Sequence, residues 1–425
     1  MILIRGLLIL AFIACLLTSC TTAPPSNSNT PVALATPSPT ASASPSPASA
    51  DTASVQVTLP LLDALLTDEK FVARLKRDLK LSEQQIDSLK RVSSAEIARL
   101  RETNAEDTDS EGQDPRAHAA EELRSILGEE KARDVARVAN DYWSKGDTSE
   151  AANGTTVEMS KEPNAVPTDT RVVVNIPAFR MDVFRDGSLV KSYKVGIGYP
   201  EFPLPQGLRK AQTIIFNPTW TPPDSPWVAK MKNVTPGETV EAGSKDNPLG
   251  PIKIPIGLPS LIHGGKSPAK IGKFNSHGCV GLTTPQIKDF AAHLAQVSNT
   301  EKINETTIDS YLKDKERTQT IKLNQTVPVE LRYETIVLED GKLHIYKDVY
   351  SQNTNTEENL RKVLEAHGVK LEDLSEQQRS QALDALKGPL KKEVVIDLSG
   401  LSALAQKGYP APVDLDTGTG KKSKK

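Results

Sequence analysis

The chain has 425 residues, a length that corresponds to roughly three domains at about 150 residues each. Its 52 Lys and Arg residues nearly balance its 54 Asp and Glu residues, and the net charge of −2 excludes a strongly basic nucleic-acid-binding protein. The hydrophobic share is 37% and the aromatic share is 4%, which favours folded parts joined by polar segments over one compact globule. After the N-terminal 20 residues, no apolar run is long enough to span a membrane.

Residues 1–20 have the features of an export signal. Arg5 precedes an apolar stretch from Gly6 to Leu17, which is short for a membrane span. The stretch ends in Leu17-Thr18-Ser19-Cys20, which resembles the lipobox of bacterial lipoproteins, whereas the alternative is an ordinary signal peptide with a chance cysteine. We therefore predict a lipoprotein signal peptide at 1–20, with lipidation of Cys20. The protein is then expected to be exported and lipid-anchored in the cell envelope, facing the periplasm, at the outer membrane or on the outer face of the cytoplasmic membrane.

Residues 21–55 are dominated by Pro, Ser, Thr and Ala, a composition that predicts a disordered tether. Residues 56–150 are charged and helix-prone, and we predict a helical domain there. Ser82 and Gln85 have the spacing of a capping box at a helix start. Apolar residues at helical spacing follow this box: Ile86, Leu89, Ile97 and Leu100.

From Arg171 the apolar pattern changes to the spacing of β-strands. A β-branched run covers residues 171–176, and Asp186-Gly187 and Asp340-Gly341 are signals for hairpin turns. Dense prolines between Pro200 and Pro226 favour fixed surface loops. We predict an antiparallel-rich β domain over residues 168–350, and hence a multidomain α+β protein with helical segments on both sides of a mainly-β domain.

The chain after Tyr350 is predicted to be helical again. A helical C-terminal segment is expected over residues 351–409, with Gly368 as a C-cap and a second capping box at Ser375-Glu376-Gln377-Gln378. Residues 410–425 end in four lysines and one serine, and they are predicted to be a disordered basic tail.

The densest chemical signal places one cysteine and two histidines close together in the sequence. His263 is followed after 13 positions by Ser276-His277-Gly278-Cys279. A thiolate is a strong nucleophile, and an imidazole near it accepts the thiol proton and returns it to a leaving amine. Gly278 permits a sharp turn that points backbone N–H groups at an oxyanion. Two other interpretations fit the same residues: a structural cysteine and histidine, or a zinc site of His263, His277 and Cys279 for which no nearby residue supplies a fourth ligand.

These residues resemble the L,D-transpeptidases, which have a YkuD-type catalytic domain. That family pairs a histidine with a cysteine about 16 positions later, and Cys279 follows His263 by 16 positions. Further stretches of the chain resemble the opening strands and loops of the family. They are residues 174–179, 196–198, 217–223 and 247–250.

The resemblance implies a sandwich-like catalytic domain and an acyl transfer on peptidoglycan stem peptides. Cys279 would be the nucleophile that forms a thioester with a tetrapeptide stem and releases D-alanine, and His263 the proton acceptor and donor. Ser276 and His277 would orient the site, and the N–H groups of Gly278 and Cys279 would form the oxyanion hole. Transfer to an amine of a second stem gives a 3→3 cross-link. The resemblance implies neither a metal nor an organic cofactor.

One position departs from the family pattern. The arginine that usually lies two residues after the cysteine is Gly281 here. We expect basic side chains of the segment between His263 and Cys279 to supply the missing charge; they are Lys266, Lys270 and Lys273. Two alternatives stay open. The same thioester resolved by water would make the protein a peptidoglycan carboxypeptidase or hydrolase, and loss of the arginine would also fit a wall-binding lipoprotein without catalysis.

Overall fold

The computed structural model describes residues 57–103, 114–145, 159–223, 228, 231–257, 260–300, 302–401 and 408–419. The predicted signal peptide, the lipidation site Cys20, the tether and the terminal lysines lie outside these ranges. Of the helices within them, none has both the length and the apolar character needed to cross a bilayer. The described residues form a mixed α and β structure, as predicted, in which a helical N-terminal part precedes a large curled sheet.

The N-terminal part consists, in the described ranges, of the helices α1 (Leu59–Leu66), α2 (Glu69–Leu79), α3 (Glu83–Thr103), α4 (Pro115–Leu127) and α5 (Glu129–Lys145). The predicted capping box is present at the start of α3, where the Ser82 N–H donates to Gln85 Oε1 (3.0 Å) and the Gln85 N–H donates to Ser82 Oγ (3.2 Å). Apolar faces of these helices form a core of their own, in which Phe71, Leu75 and Trp143 are buried.

The remaining described residues contain thirteen strands, β1 (Arg171–Asn175), β2 (Arg180–Arg185), β3 (Ser188–Lys194), β4 (Ile197–Gly198), β5 (Gly207–Phe216), β6 (Ile252–Pro255), β7 (Leu261–Lys266), β8 (Phe274–Ser276), β9 (Val280–Thr283), β10 (Gln319–Arg332), β11 (Ile336–Glu339), β12 (Lys342–Ile345) and β13 (Val394–Asp397). Eight of them form one sheet in the order β3-β2-β1-β10-β5-β6-β7-β9. Within it, β1–β10 and β7–β9 are parallel pairs and the other pairs are antiparallel.

Helix α6 (Thr284–Val297) and helix α7 (Glu305–Lys313) contribute to the apolar core of this sheet. The buried residues of α6 in that core are Ile287, Phe290, Ala291, Leu294, Ala295 and Val297. Thr283 and Gln286 form a capping box at the start of α6, so the helix begins directly after β9. The end of β9 is thereby held against the core.

Both predicted hairpins are confirmed. Asp186 (φ 49°) and Gly187 (φ 79°) join β2 to β3, and Asp340 (φ 46°) and Gly341 (φ 71°) join β11 to β12. Two successive residues in the left-handed region give a turn whose twist matches that of the strands it joins. The Asp-Gly sequence alone was therefore sufficient to predict both hairpin turns.

The longest strand, β10, was not predicted. It pairs in parallel with β1 and antiparallel with β5, so it joins the two halves of the large sheet. Its sequence contains Pro328, and its register against β5 shifts between Lys322 and Val327. Proline lacks the N–H that a central strand needs, so Pro328 is an unusual residue in a strand that is paired on both sides.

A strand pairing crosses residue 350, the predicted end of the mainly-β domain. β13 lies far beyond it and pairs with β12, so β11, β12 and β13 form a separate three-stranded sheet. Helix α8 (Glu357–Ala366) and helix α9 (Glu376–Ala385) pack with this sheet around a small core that includes Leu343, Leu360 and Ile396. A strand pairing distant in sequence leaves no local signal, and the segment after 350 was therefore assigned to helices alone.

Residues 410–419, which fall within the predicted disordered tail, form backbone hydrogen bonds with the large sheet. We call residues 408–419 the C-terminal strap. The Ser192 N–H donates to Val413 O (2.9 Å), and the Asp416 N–H donates to Ser192 O (3.0 Å), so the strap pairs with the outer side of β3. An edge strand offers unpaired backbone groups, and the strap satisfies them. This pairing outweighs the polar composition that had suggested disorder.

Tyr409 anchors the C-terminal strap, and it provides a test of the fold. Its side chain is 7% exposed, its ring packs edge-on against Phe184, and its hydroxyl donates to Asp182 (3.1 Å). We expect Tyr409→Ala to lower the free energy of unfolding by about 3–5 kcal/mol, the usual cost of removing a buried aromatic ring. Urea titration followed by circular dichroism measures this loss. Val413→Ala, at a side chain 38% exposed in the same strap, is the control with little expected change, and equal stabilities of the two variants would contradict the anchoring role.

Candidate active site

His263 and Cys279 are brought together by the parallel pair β7–β9. The register places Ile262 opposite Val280 and His263 opposite Gly281. Ile262 and Val280 are buried in the main core, and because side chains alternate along a strand, His263 and Cys279 lie on the opposite face. They are offset by two positions on neighbouring strands, and no hydrogen bond joins them in the part of the chain that the structure describes.

The His263 imidazole is buried, with 3% of the residue exposed. Its Nδ1–H donates to Gly264 O (2.8 Å), which leaves Nε2 as the nitrogen that accepts a proton. Burial, and secondarily the positive charge of Lys266, lowers the pKa of His263 to about 3, although backbone hydrogen bonds with Gly264 and Leu249 oppose this shift. The ring is therefore neutral at pH 7 and has the protonation state of a general base.

Residues 276–279 form a tight turn between β8 and β9. The Cys279 N–H donates to Ser276 Oγ (3.0 Å), and the Ser276 hydroxyl donates back to Cys279 O. Gly278 has a φ of +95°, which a residue with a side chain would adopt only under strain. Because Ser276 already binds the Cys279 N–H, that N–H is not free for the predicted oxyanion hole. The Gly278 N–H has no acceptor among the described residues and remains the candidate.

Cys279 is a free, half-buried thiol. Burial raises its pKa, whereas the backbone N–H of Leu261 and the charge of Lys266 lower it. Since the thiolate is the nucleophilic form, these two neighbours determine how far the cost of burial is offset.

His277 lies in an aromatic wall beside the turn. Its ring centroid is 4.9 Å from that of Phe202 and 5.5 Å from that of Tyr199. In the ranges that the structure describes, no group of three His, Cys, Asp or Glu side chains is placed to hold a metal ion. His277 is thus positioned to shape the site through ring contacts.

The three lysines between His263 and Cys279 differ in their surroundings. Lys270 and Lys273 are exposed, whereas Lys266 is half-buried and its Nζ donates to Asn275 O (2.7 Å). A Cβ atom on Gly281 would lie 3.0 Å from both Cγ and Cε of Lys266 and 2.6 Å from Asn275 Oδ1. The Lys266 side chain therefore fills the space beside Gly281, and only this lysine fits the predicted substitution for the missing arginine.

Sequence reasoning missed the residues that reach the site from distant loops. Trp220, Val228 and Leu249 form a small apolar cluster, and the backbone of Leu249 hydrogen-bonds the His263 ring. Gly250 lies close to β7, because a Cβ on Gly250 would be 2.5 Å from Gly265 N. The only signal available in the sequence was the family-like composition of residues 217–223 and 247–250.

The helical N-terminal part also touches the site. Thr58, the N-cap of α1, donates through its hydroxyl to Glu201 O (2.7 Å). Glu201 precedes Phe202, whose ring contacts His277. The first described helix is therefore one hydrogen bond away from the loop that forms the aromatic wall.

A comparison of the chain with models of protein families finds a match to one family. The model of the YkuD family, described as the L,D-transpeptidase catalytic domain, matches residues 169–318. A search of curated proteins finds no match.

Solved L,D-transpeptidases are similar to part of the chain. The catalytic domain from Enterococcus faecium shares 16% identity over 40% of this chain and 100% of its own length, with a TM-score of 0.25. The enzyme from Mycobacterium smegmatis shares 14% identity over 39% of this chain and 58% of its own, with a TM-score of 0.24. The Ldtfm–avibactam carbamoyl enzyme shares 15% identity over 39% of this chain and 49% of its own, with a TM-score of 0.24. The chain thus spans about half the length of the last two proteins, and these TM-scores carry no further argument.

The family match covers both strands of the site, together with the turn between β8 and β9 and the loops that close over His263. Residues 169–318, which include His263 and Cys279, thus match the model of the YkuD family, the L,D-transpeptidase catalytic domain.

Proposed function

We propose that this protein is a peptidoglycan L,D-transpeptidase that acts through a cysteine thioester. The observation that carries the proposal is the placement of neutral His263 and the free thiol of Cys279 on one face of β7 and β9, within the domain that matches the family. The register sets them two positions apart on neighbouring strands, and no hydrogen bond joins them among the described residues. Catalytic hydrogen bonds are often long in a free enzyme and shorten when substrate binds.

In the first step, Cys279 Sγ attacks the carbonyl carbon that links the third residue of a tetrapeptide stem to D-alanine. The thiol proton passes to His263 Nε2, and the Gly278 N–H stabilises the oxyanion. When the C–N bond breaks, His263 returns the proton to the leaving amine. D-Alanine departs, and the stem is left as a thioester on Cys279.

In the second step, a side-chain amine of a neighbouring stem attacks the thioester carbonyl. His263 accepts a proton from this amine, the C–S bond breaks, and the thiol is regenerated. The product is a 3→3 cross-link between two stems. Attack by water would instead give a shortened stem, so the nature of the acceptor separates a transpeptidase from a carboxypeptidase.

The first prediction concerns covalent acylation. We expect incubation with a carbapenem to add one drug mass to the protein, because a strained amide is an acyl donor to Cys279. Mass spectrometry of the intact protein detects the adduct. Cys279→Ala should give none, and Lys273→Ala, at an exposed position of the same loop, should acylate normally. An unmodified wild-type protein would favour the alternative of a wall-binding protein without catalysis.

The products formed from a stem substrate show whether an amine or water resolves the thioester. With a disaccharide tetrapeptide, a transpeptidase yields D-alanine and a cross-linked dimer, whereas a carboxypeptidase yields D-alanine and the tripeptide alone. Chromatography with mass detection separates the three products. Formation of the tripeptide alone would overturn cross-linking and leave the thioester mechanism intact.

His263→Gln tests the general base. Loss of a general acid–base residue usually lowers a rate by about a hundredfold or more, and we expect this loss in the rate of acylation. Glutamine fills a similar volume and accepts hydrogen bonds, but it does not take a proton at these pH values. A rate within a few-fold of the wild type would remove His263 from the mechanism.

The same variant tests whether His263 is neutral when buried. The folded-state pKa of about 3 lies below the unfolded value near 6.5, so the unfolded chain takes up a proton first as the pH falls. The wild type should therefore lose about 2 kcal/mol more stability than His263→Gln between pH 7.5 and pH 5. Urea titrations of both proteins at the two pH values measure the difference. An equal loss in both would mean that His263 titrates normally.

We further propose that the protein is a lipoprotein that uses the tether at 21–55 to reach the wall. The support is the Leu17-Thr18-Ser19-Cys20 sequence and the composition of the segment behind it. A flexible coil of this length has an average span of roughly 30–35 Å. A catalytic domain held at a bilayer by such a tether would reach peptidoglycan near the membrane.

Cys20→Ala tests the anchor. We expect the wild type to incorporate labelled palmitate and to sediment with membranes, because a multiply acylated cysteine inserts firmly into a bilayer. The variant should lose the label and leave the membrane fraction or remain unprocessed. Cys15→Ala, five positions earlier in the apolar stretch, is the matched control. A soluble, unlabelled wild-type protein would contradict the lipoprotein assignment.

A further inference from the structure

A bulge in β7 turns Lys266 towards the catalytic residues. The register pairs His263 with Gly281 and Lys266 with Thr283, so three steps along β7 face two steps along β9. Gly265, with a φ of +80°, lies within the extra step. In an unbroken strand, residues three apart point to opposite faces. The bulge instead places Lys266 on the face that carries His263.

Two glycines are required for this arrangement. A Cβ on Gly264 would lie 2.5 Å from Cγ2 of Ile287, and a Cβ on Gly265 would lie 3.0 Å from the backbone of Gly250. The strand thus bends between α6 on one side and the loop after Leu249 on the other. The close contacts fix the bulge and, with it, the direction of the next side chain.

The aliphatic part of Lys266 lies over Gly281. A Cβ atom at that position would be 3.0 Å from Cγ and Cε of Lys266, so the lysine occupies the space that any larger residue would need. At its end, Nζ donates to Asn275 O (2.7 Å). The Asn275 side-chain amide in turn donates to Lys270 O (2.7 Å), which ties the exposed loop to the same point.

The ammonium group is enclosed without an acid beside it. Among the described residues, no carboxylate forms an ion pair with Lys266. Burial, and after it the charge of Lys270, lowers the pKa of Lys266, whereas Cys279 raises it. The charge of Lys266 acts in turn on Cys279 and on His263. A half-buried cation whose nearest ionisable partners are a thiol and an imidazole favours the negative charge on sulfur and the neutral ring.

We propose that Lys266 is a positioning residue whose charge favours the nucleophilic thiolate form of Cys279 over the protonated thiol. This proposal rests on the proposed role of Cys279 as the nucleophile. In the absence of a donor the thiol proton goes to solvent, and during acylation it goes to His263. Lys266 takes no part in bond making, and it acts through the positive charge of its ammonium. It provides a positive charge near the thiol, which Gly281, at the position of the family's usual arginine, does not provide.

The test measures the ionisation of Cys279 directly. The rate of alkylation by iodoacetamide is followed from pH 5 to pH 10 in the full chain, and the modified Cys279 peptide is quantified by mass spectrometry. Alkylation reports the thiolate without any acyl donor, so its outcome is independent of whether the protein acylates or cross-links stems. Lys266→Met removes the charge and keeps most of the side-chain volume, and circular dichroism checks that the fold is intact.

We expect the midpoint of the alkylation profile to rise by about 1–2 pH units in Lys266→Met, which corresponds to about 10–100-fold less thiolate at neutral pH. Lys266→Arg should keep the wild-type midpoint, and Lys273→Met, an exposed lysine of the same loop, should do the same. If Lys266→Met does not fold, Lys266→Gln serves as the neutral variant. An unchanged midpoint in the folded neutral variant, or an equal shift in Lys266→Arg or Lys273→Met, would overturn the proposal.

Discussion

The parallel pairing of β7 with β9 is the constraint on which the site depends. One face of this pair belongs to the core through Ile262 and Val280, so its register is fixed by burial. A shift by one residue would move His263 or the residues around Cys279 into apolar surroundings. The geometry of the candidate catalytic pair is therefore a consequence of core packing several ångströms away.

Burial has opposite consequences for the two candidate catalytic side chains, His263 and Cys279. It keeps His263 neutral, as a base requires, but it disfavours the thiolate that the nucleophile requires. One positive charge acts in favour of both demands, because Lys266 lowers the pKa of the imidazole and of the thiol, although burial still raises the pKa of Cys279 overall. The Ser276 hydroxyl is used differently, since it binds both backbone groups of Cys279 and holds the turn rather than the thiol.

The parts of the chain outside the family match are in contact with the catalytic domain. The helical N-terminal part reaches the aromatic wall through Thr58 and Glu201. The C-terminal strap closes the edge of the large sheet at β3, and a Cβ on Gly418 would lie 3.0 Å from Ile271 in the loop between Lys266 and Asn275. Both flanks thus border segments that line the site, which gives them a structural reason to be retained with it.

The sequence by itself determined the features that depend on short-range chemistry. Asp186-Gly187 and Asp340-Gly341 specified their hairpins, and the Ser82 box specified a helix start. The spacing of His263 and Cys279 indicated the family whose model matches residues 169–318. Each depends on residues that are neighbours along the chain, so the local pattern holds the information.

The tertiary structure alone decided what depends on distant neighbours. β10 became a central strand despite Pro328, because pairing on both sides outweighs one missing N–H. The strap became ordered because β3 offered free backbone groups, and β13 joined β12 across about fifty intervening residues. Lys266 differs from Lys270 and Lys273 through the bulge at Gly265 and through the space beside Gly281 that its side chain fills, and neither is visible in a pattern of residue types. Burial and strand register are properties of the folded chain, which is why the sequence indicated a candidate nucleophile and a candidate base and left the environment of the thiol to the structure.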